Sequence, residues 1–303
     1  MHELAFRAMG SEMRVLLDGT ASLGNPLAQV PVWFAAWEAT LSRFQPGSEL
    51  SRLNARAGRV VRVSRTLWAV LQAALLAARR TGGLVTPTGL RALEAAGYTR
   101  SFTAGVGSGA SMAPGGPLPR WQSIRCRPHV RSVRVPAGVR LDFGGIAKGW
   151  AADRTAHALA AVGPALVDAG GDIRVSGPCA DGRPWPIGVA DPHDPDRDVA
   201  LLALRRGAVA TSGRDYRRWQ QGGVWQHHIL DPRTGRPATT DVMSATVIAP
   251  TAVYAEAAAK ALLILGSRAG LAWLDRRPAL AGLVVLDDGQ VSVSRRLPAY
   301  YWS

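Results

Sequence analysis

Apolar positions between residues 4 and 17 follow a strand pattern that breaks at Met9-Gly10-Ser11, predicting a strand pair or one long broken strand. From 31 to 43, Val32, Phe34, Ala35 and Leu41 recur at roughly helical spacing until Pro46-Gly47 stops them. Ser64 reads as a helix cap ahead of Leu67, Val70, Leu71, Ala74 and Leu75, and Gly82-Gly83 ends that helix. A short helix is predicted over 88–96. Residues 101–119 read as loop, since Gly105, Gly107, Gly109, Pro114, Gly115, Gly116 and Pro117 leave little room for regular structure. Strands follow near 122–126, 131–135 and 139–142, then an Ala-rich helix over 148–162 stopped by Gly163-Pro164. Short strands are predicted at 165–167, 173–175 and 199–204, and a longer one at 242–249. Helices at 255–265 and 268–275 precede a closing hairpin of 283–286 with 291–294. Strands and helices mix without steady alternation, which predicts an α+β fold. No repeat is visible, and the Gly/Pro-rich loop near 103–119 is the only candidate linker, so one compact domain over 1–303 is expected.

Composition narrows the classes. The 303 residues are 47% hydrophobic and 19% charged, which excludes a disordered chain. No run of about 18 to 20 apolar residues is present, so no membrane-spanning helix is expected. The first residues lack a basic stretch followed by an apolar one, and Cys126 and Cys179 form no metal or redox motif; a cytoplasmic protein with reduced thiols is the expectation. The net charge of +14 invites a nucleic-acid reading, but the basic residues are spread along the whole chain and form no cluster. No nucleic-acid partner is expected. Of 36 basic residues only Lys148 and Lys260 are lysines; the other 34 are arginines.

Four clusters carry candidate chemistry. In Leu141-Asp142-Phe143-Gly144-Gly145-Ile146-Ala147-Lys148-Gly149, a predicted strand delivers Asp142, two glycines allow a tight turn, and a helix opens with Lys148 in its first turn. Such a turn presents backbone N–H groups and a positive helix end, a setting for phosphate. A capping Asp and a solvated Lys would explain the same letters. Ala169-Gly170-Gly171-Asp172 is a strand-to-strand turn that is either a simple hairpin or a close backbone approach. His227 and His228 are adjacent in a predicted strand, so at most one faces any given site, and a strand-end His could act as a general base. Glu256 and Lys260 are four apart on one helix face, as in a surface ion pair, but the surrounding residues are Ala and Leu, suggesting a mostly buried helix. The glycines at 105–109 imitate a phosphate loop without its flanking strand and helix.

Taken in order, these clusters resemble the ApbE family, the FAD:protein FMN transferases, from about residue 6 to about residue 287. The resemblance rests on Ala8-Met9-Gly10-Ser11, Leu41-Ser42-Arg43-Phe44-Gln45-Pro46 and Ser48-Glu49-Leu50-Ser51-Arg52-Leu53-Asn54. It extends through Gly83-Leu84-Val85-Thr86-Pro87-Thr88, the Asp142 to Gly149 cluster and Ala169 to Asp172. Ala210-Thr211-Ser212-Gly213, His228 to Pro237 and Ser244 to Pro250 complete it. It implies mixed and antiparallel sheets with packed helices, and an enzyme that cuts FAD and passes FMN to a Thr or Ser hydroxyl of an acceptor protein, releasing AMP. Met9, Phe44, Leu84, Val85, Thr86, Asp142, Lys148 and Leu230 would line the FAD site, with Asn54 near it. The Gly145 carbonyl and Glu256 would face Mg²⁺, and His228 would be the base for the acceptor hydroxyl. The acceptor would carry a Ser/Thr-Gly-Ala-Thr/Ser type motif.

The departures matter as much. The family's last motif reads Ala-Asp-Ala-x-x-Thr, with Asp and Thr on Mg²⁺; here Glu256 and Lys260 stand there. A protonated Lys cannot ligate a cation, so the resemblance implies an altered or metal-independent site with Lys260 itself a catalytic candidate. Thr86 replaces a usual Asp, and Asp168 a usual Asn. The second reading is an FAD-binding protein with degenerate transferase activity, used for flavin storage, sensing or FAD hydrolysis. Ser108-Gly109-Ala110-Ser111 resembles an acceptor motif lacking its Asp, which raises self-modification at Ser111.

Overall fold

The break at Met9-Gly10 is a tight turn: Met9 (φ 50°) and Gly10 (φ 71°) are both left-handed, and the flanking strands His2–Ala8 and Ser11–Leu17 pair antiparallel. The computed structural model describes residues 1–19, 26–100, 115–221 and 223–302. Most of the predicted loop, including Ser111, lies outside the described residues. The helices are α1 (Val30–Leu41), α2 (Glu49–Ala55), α3 (Arg65–Arg80), α4 (Leu90–Ala95), α5 (Ala147–Leu159), α6 (Ala252–Leu265) and α7 (Ser267–Asp275). The fold is α+β with antiparallel pairing throughout its sheets. None of these helices is long and apolar enough to cross a membrane.

The chain forms two compact units. The first comprises 1–34, 148–215 and 240–303; the second, 35–147 and 216–239. The first is built on an eight-stranded sheet that follows chain order: His2–Ala8, Ser11–Leu17, Ala165–Ala169, Asp172–Val175, Gly207–Gly213, Val242–Ala249, Ala281–Leu286 and Val291–Val293. Helices α6 and α7 pack on its later strands. A core of Leu166, Val175, Val209, Ile248, Leu283 and Val285 meets Trp185, Ile187, Leu202 and Leu204 of the hairpin Trp185–Ala190/Asp198–Leu204. Gly207–Gly213 and Val242–Ala249 are buried almost throughout. Strand Trp185–Ala190 alternates buried and exposed, but its Pro186 and Gly188 hide it from sequence reading.

In the second unit, Val60–Arg62, Ser132–Arg134 and Arg125–Arg127 form a three-stranded sheet, with Ser132–Arg134 central. Ser64 caps α3 as predicted, its hydroxyl accepting the Leu67 N–H at 3.2 Å, and Gly82 and Gly83 leave the helix with positive φ. Helix α2 has the same kind of start, Ser48 accepting from Ser51 N–H, yet its seven residues are too few to show a period.

The strand expected at 139–142 does not form. Asn54, in the last turn of α2 and 6% exposed, takes the place of a neighbouring strand. Its Nδ2 donates to the Leu141 carbonyl (2.8 Å) and its Oδ1 accepts the Leu141 N–H (2.7 Å), while the Asp142 N–H donates to the Pro87 carbonyl. Replacing Asn54 by Leu strands two buried backbone groups, so the urea unfolding midpoint is expected to fall by the equivalent of about 2–4 kcal/mol.

Candidate functional site

In the first unit the chemistry gathers around the opening of α5. Ile146 and Ala147 N–H groups both donate to the Phe143 carbonyl, so the turn closes directly into the helix and Lys148 is its second residue. The Lys148 ammonium donates to the Gly170 carbonyl (2.9 Å) and pairs with Asp172 Oδ2 (2.7 Å). Asp172 is 2% exposed, so this ammonium neutralises a buried charge. Gly170 (φ 64°) and Gly171 (φ 88°) make the turn that brings carbonyl and carboxylate to one ammonium. A side chain on Gly170 would meet Ser11 Cβ at 2.6 Å, so the Met9-Gly10 turn abuts the Gly170-Gly171 turn. The Gly-Gly-Asp motif is therefore a close backbone approach as well as a hairpin.

Asp168 Oδ1 accepts the Gly171 N–H at 2.7 Å. Burial pushes its carboxyl above the ordinary range and the neighbouring Asp172 adds to this, opposed by the Gly171 N–H, Lys148 and Arg14. Glu256, on α6, is fully buried. Its Oε1 accepts from the Lys260 ammonium (3.0 Å) and its Oε2 from the Gly149 N–H (3.1 Å). Burial and then Asp172 push Glu256 upward, while Lys260 and Lys148 pull it back. Two lysines and three carboxylates thus form one electrostatic cluster. Asp153 fastens α5 to the start of α6, accepting the Ala252 N–H (2.9 Å) and the Val253 N–H (3.1 Å).

The residues present do not fit Mg²⁺. That ion wants about six oxygens near 2.1 Å in an octahedron. Both Glu256 oxygens already accept, one from an ammonium. A divalent ion about 4 Å from that ammonium would be opposed by ~8 kcal/mol at an effective dielectric of 20. Among the described residues, no three His, Cys, Asp or Glu side chains come together as a metal site.

The second unit holds most of the residues expected against flavin. Arg43 Nε pairs with Asp142 Oδ2 at 2.8 Å, and the Arg43 side chain is only 5% exposed. Its guanidinium lies 4.1 Å from the Phe44 ring centre and 4.6 Å from that of Tyr98. Tyr98 stacks on Trp219 (5.4 Å, 27°), whose indole N–H donates to the Ala96 carbonyl. Asp142 Oδ1 accepts the Gly144 N–H, an Asx turn that shapes the approach to α5. Thr86 bonds Thr88 (2.8 Å), close to the Pro87 carbonyl that receives the Asp142 N–H. Leu84 and Thr86 are half-buried and Val85 is buried. Leu230 lies beside Gly89, where a Cβ would be 3.9 Å from Leu230 Cδ1.

Phe44, Asn54, Thr86 and Asp142 are thus tied into one network. Gly145 is half-buried in the turn before α5. The strand Val224–His227 ends one residue earlier than the two-faced reading of the His pair needs, so His228 lies beyond it, half-buried. His227 is fixed by structure: its Nδ1 accepts the Ile229 N–H, so the proton sits on Nε2, facing the Ala238 carbonyl (3.0 Å). Sequence reasoning missed Asp172 as the partner of Lys148. It also missed Arg43 as the partner of Asp142, and Tyr98 and Trp219, two isolated letters until the fold stacks them.

A helix-start lysine bound to a Gly-Gly turn, and a second lysine paired with a buried glutamate one helical turn before it, mark this α+β protein. The chain belongs to the ApbE family, whose family model matches residues 9–284. It is 36% identical over 285 residues to a FAD:protein FMN transferase of Treponema pallidum, covering 85% of this chain and 76% of that protein. A FAD:protein FMN transferase of Vibrio cholerae is 38% identical over 155 residues, 49% of this chain and 46% of that one. The crystal structure of the ApbE protein from Thermotoga maritima superposes with a TM-score of 0.87 at 28% identity, covering 100% of this chain and 99% of that one. The flavin transferase ApbE from Vibrio cholerae shares the fold, with a TM-score of 0.80 at 24% identity over 99% of this chain and 98% of that one.

Proposed function

We propose that this chain is a flavin transferase that moves FMN from FAD to a Ser or Thr hydroxyl of an acceptor protein and releases AMP. The observation that carries the reading is the placement of Lys148, an ammonium held at a helix start by Gly170 and Asp172, in a chain of this family. Transfer of a phosphoryl group asks the protein mainly for alignment and for positive charge on the phosphate oxygens. Lys148 supplies that charge. Phe44, Asn54, Leu84, Val85, Thr86, Asp142, Leu230 and Met9 hold FAD. His228 takes the proton of the acceptor hydroxyl as its oxygen bonds to the FMN phosphorus, and the bridging oxygen leaves with AMP. The acceptor segment is of the Ser/Thr-Gly-Ala-Thr/Ser type.

A second reading has support in the closed Glu256–Lys260 pair: a protein that binds FAD and turns it over slowly, with water in place of the hydroxyl. The two separate by products. FAD is incubated with the protein and a peptide carrying the acceptor motif, AMP is quantified and the peptide is weighed. Transfer gives AMP and a peptide heavier by one FMN; hydrolysis gives AMP and free FMN; storage gives neither.

A further inference from the structure

We infer that the Lys260 ammonium is the resident cation of this site, so that the FAD diphosphate is met by two lysines and by no divalent ion. The inference rests on the FAD reading above and deepens it. Glu256 is fully buried, and its two oxygens are committed to the Lys260 ammonium and the Gly149 N–H. That pattern of two accepted bonds is the pattern of a carboxylate. Its charge is compensated within its own helix, four residues on, before any ion arrives. The Lys260 side chain is 15% exposed and Glu256 not at all, so the pair reaches solvent only through the lysine. Glu256 uses one of its three protons, which leaves two for an incoming anion.

The two lysines share Glu256. Lys260 bonds it directly, and Lys148 precedes the residue whose N–H bonds its other oxygen. Both pull on its charge. They also share a chemistry that a chain of 34 arginines has retained only here. An ammonium is a compact point charge that fits where a planar guanidinium does not. The consequence is a change in local charge: a divalent ion beside a carboxylate leaves +1, whereas an ammonium beside it leaves zero. Phosphate oxygens are then held by directed N–H donors, and turnover is expected to be slow and indifferent to metal.

Three measurements on the full chain test this. Manganese binding is followed by its paramagnetic resonance signal, and AMP release from FAD is followed with EDTA and with millimolar Mg²⁺. The wild type is expected to leave the Mn²⁺ signal at its free-ion intensity and to release AMP at rates within about twofold in the two conditions. The pair Glu256→Asp and Lys260→Thr together should capture Mn²⁺ and raise AMP release at least about tenfold with metal over EDTA. Lys260→Gln should weaken FAD binding in EDTA by about tenfold, readable by calorimetry without any turnover. Stoichiometric Mn²⁺ on the wild type that Glu256→Gln removes, or AMP release abolished by EDTA, overturns the inference. Absence of AMP under every condition overturns the transfer reading, and the Mn²⁺ and calorimetric results still decide the cation.

Discussion

Lys148→Met is expected to lower AMP release from FAD by on the order of a hundredfold to a thousandfold, the usual cost of removing one donor aimed at developing charge. It is also expected to destabilise the protein, because Asp172 would keep a buried charge with no ammonium against it. Breaking one partner of a buried pair costs about 3–5 kcal/mol. The two effects are separable. Lys148→Met with Asp172→Asn removes both charges, so the urea midpoint should recover most of the loss. Turnover should not recover if, as proposed, the missing charge is the one that meets phosphate. A double variant that regained turnover together with stability would show that Lys148 acts only through folding.

Gly149→Ala should be the most damaging small substitution in the site. A Cβ there would lie 2.8 Å from the carbonyl carbon and oxygen of Ala252 and 2.9 Å from Glu256 Oε2. Two of these three neighbours are backbone at the capped start of α6, which cannot yield as a flexible side chain would. Overpacking of this kind costs about 1–3 kcal/mol, and the upper end is expected where helices α5 and α6 must separate. Separation also lengthens the Gly149 N–H bond to Glu256, freeing that carboxylate. Thermal unfolding should therefore shift down by several degrees (roughly 3 kcal/mol), and the Lys260 ammonium should lose its fixed position. Gly47→Ala, where nothing lies within 4 Å, is the matched control and should leave the melting temperature in place.

Local signals in the chain were enough for several elements in both units. The Met9-Gly10 break, the Gly-Gly stops and the run at 242–249 each have one local cause, and each appears in the structure where the letters put it. Helix α6 reads as buried from its alanines, and Glu256 at full burial agrees. Reading failed where the partner of a group is far away in sequence. The extended stretch at 139–142 looks like a strand because Val139 and Leu141 alternate with Arg140 and Asp142, yet what pairs it is an amide 87 residues earlier. Tyr98 and Trp219 have no periodicity to advertise them, and only the fold stacks them. The family motifs delivered Phe44, Asn54 and Asp142 as neighbours, but not the Arg43 guanidinium that ties Phe44 to Asp142.

The eight-stranded sheet also sets a timetable. Strand Ser11–Leu17 finds its second neighbour in Ala165–Ala169, with residues 35–147, the larger part of the second unit, between them in the chain. A ribosome adding about 5–20 residues per second leaves the first hairpin waiting on the order of ten seconds for that strand. A lone two-stranded hairpin is barely stable in water, and its open edge is a template for wrong pairing. The nascent chain is thus most exposed to aggregation while the inserted segment is being made, and holdase chaperones have the most to do in that interval.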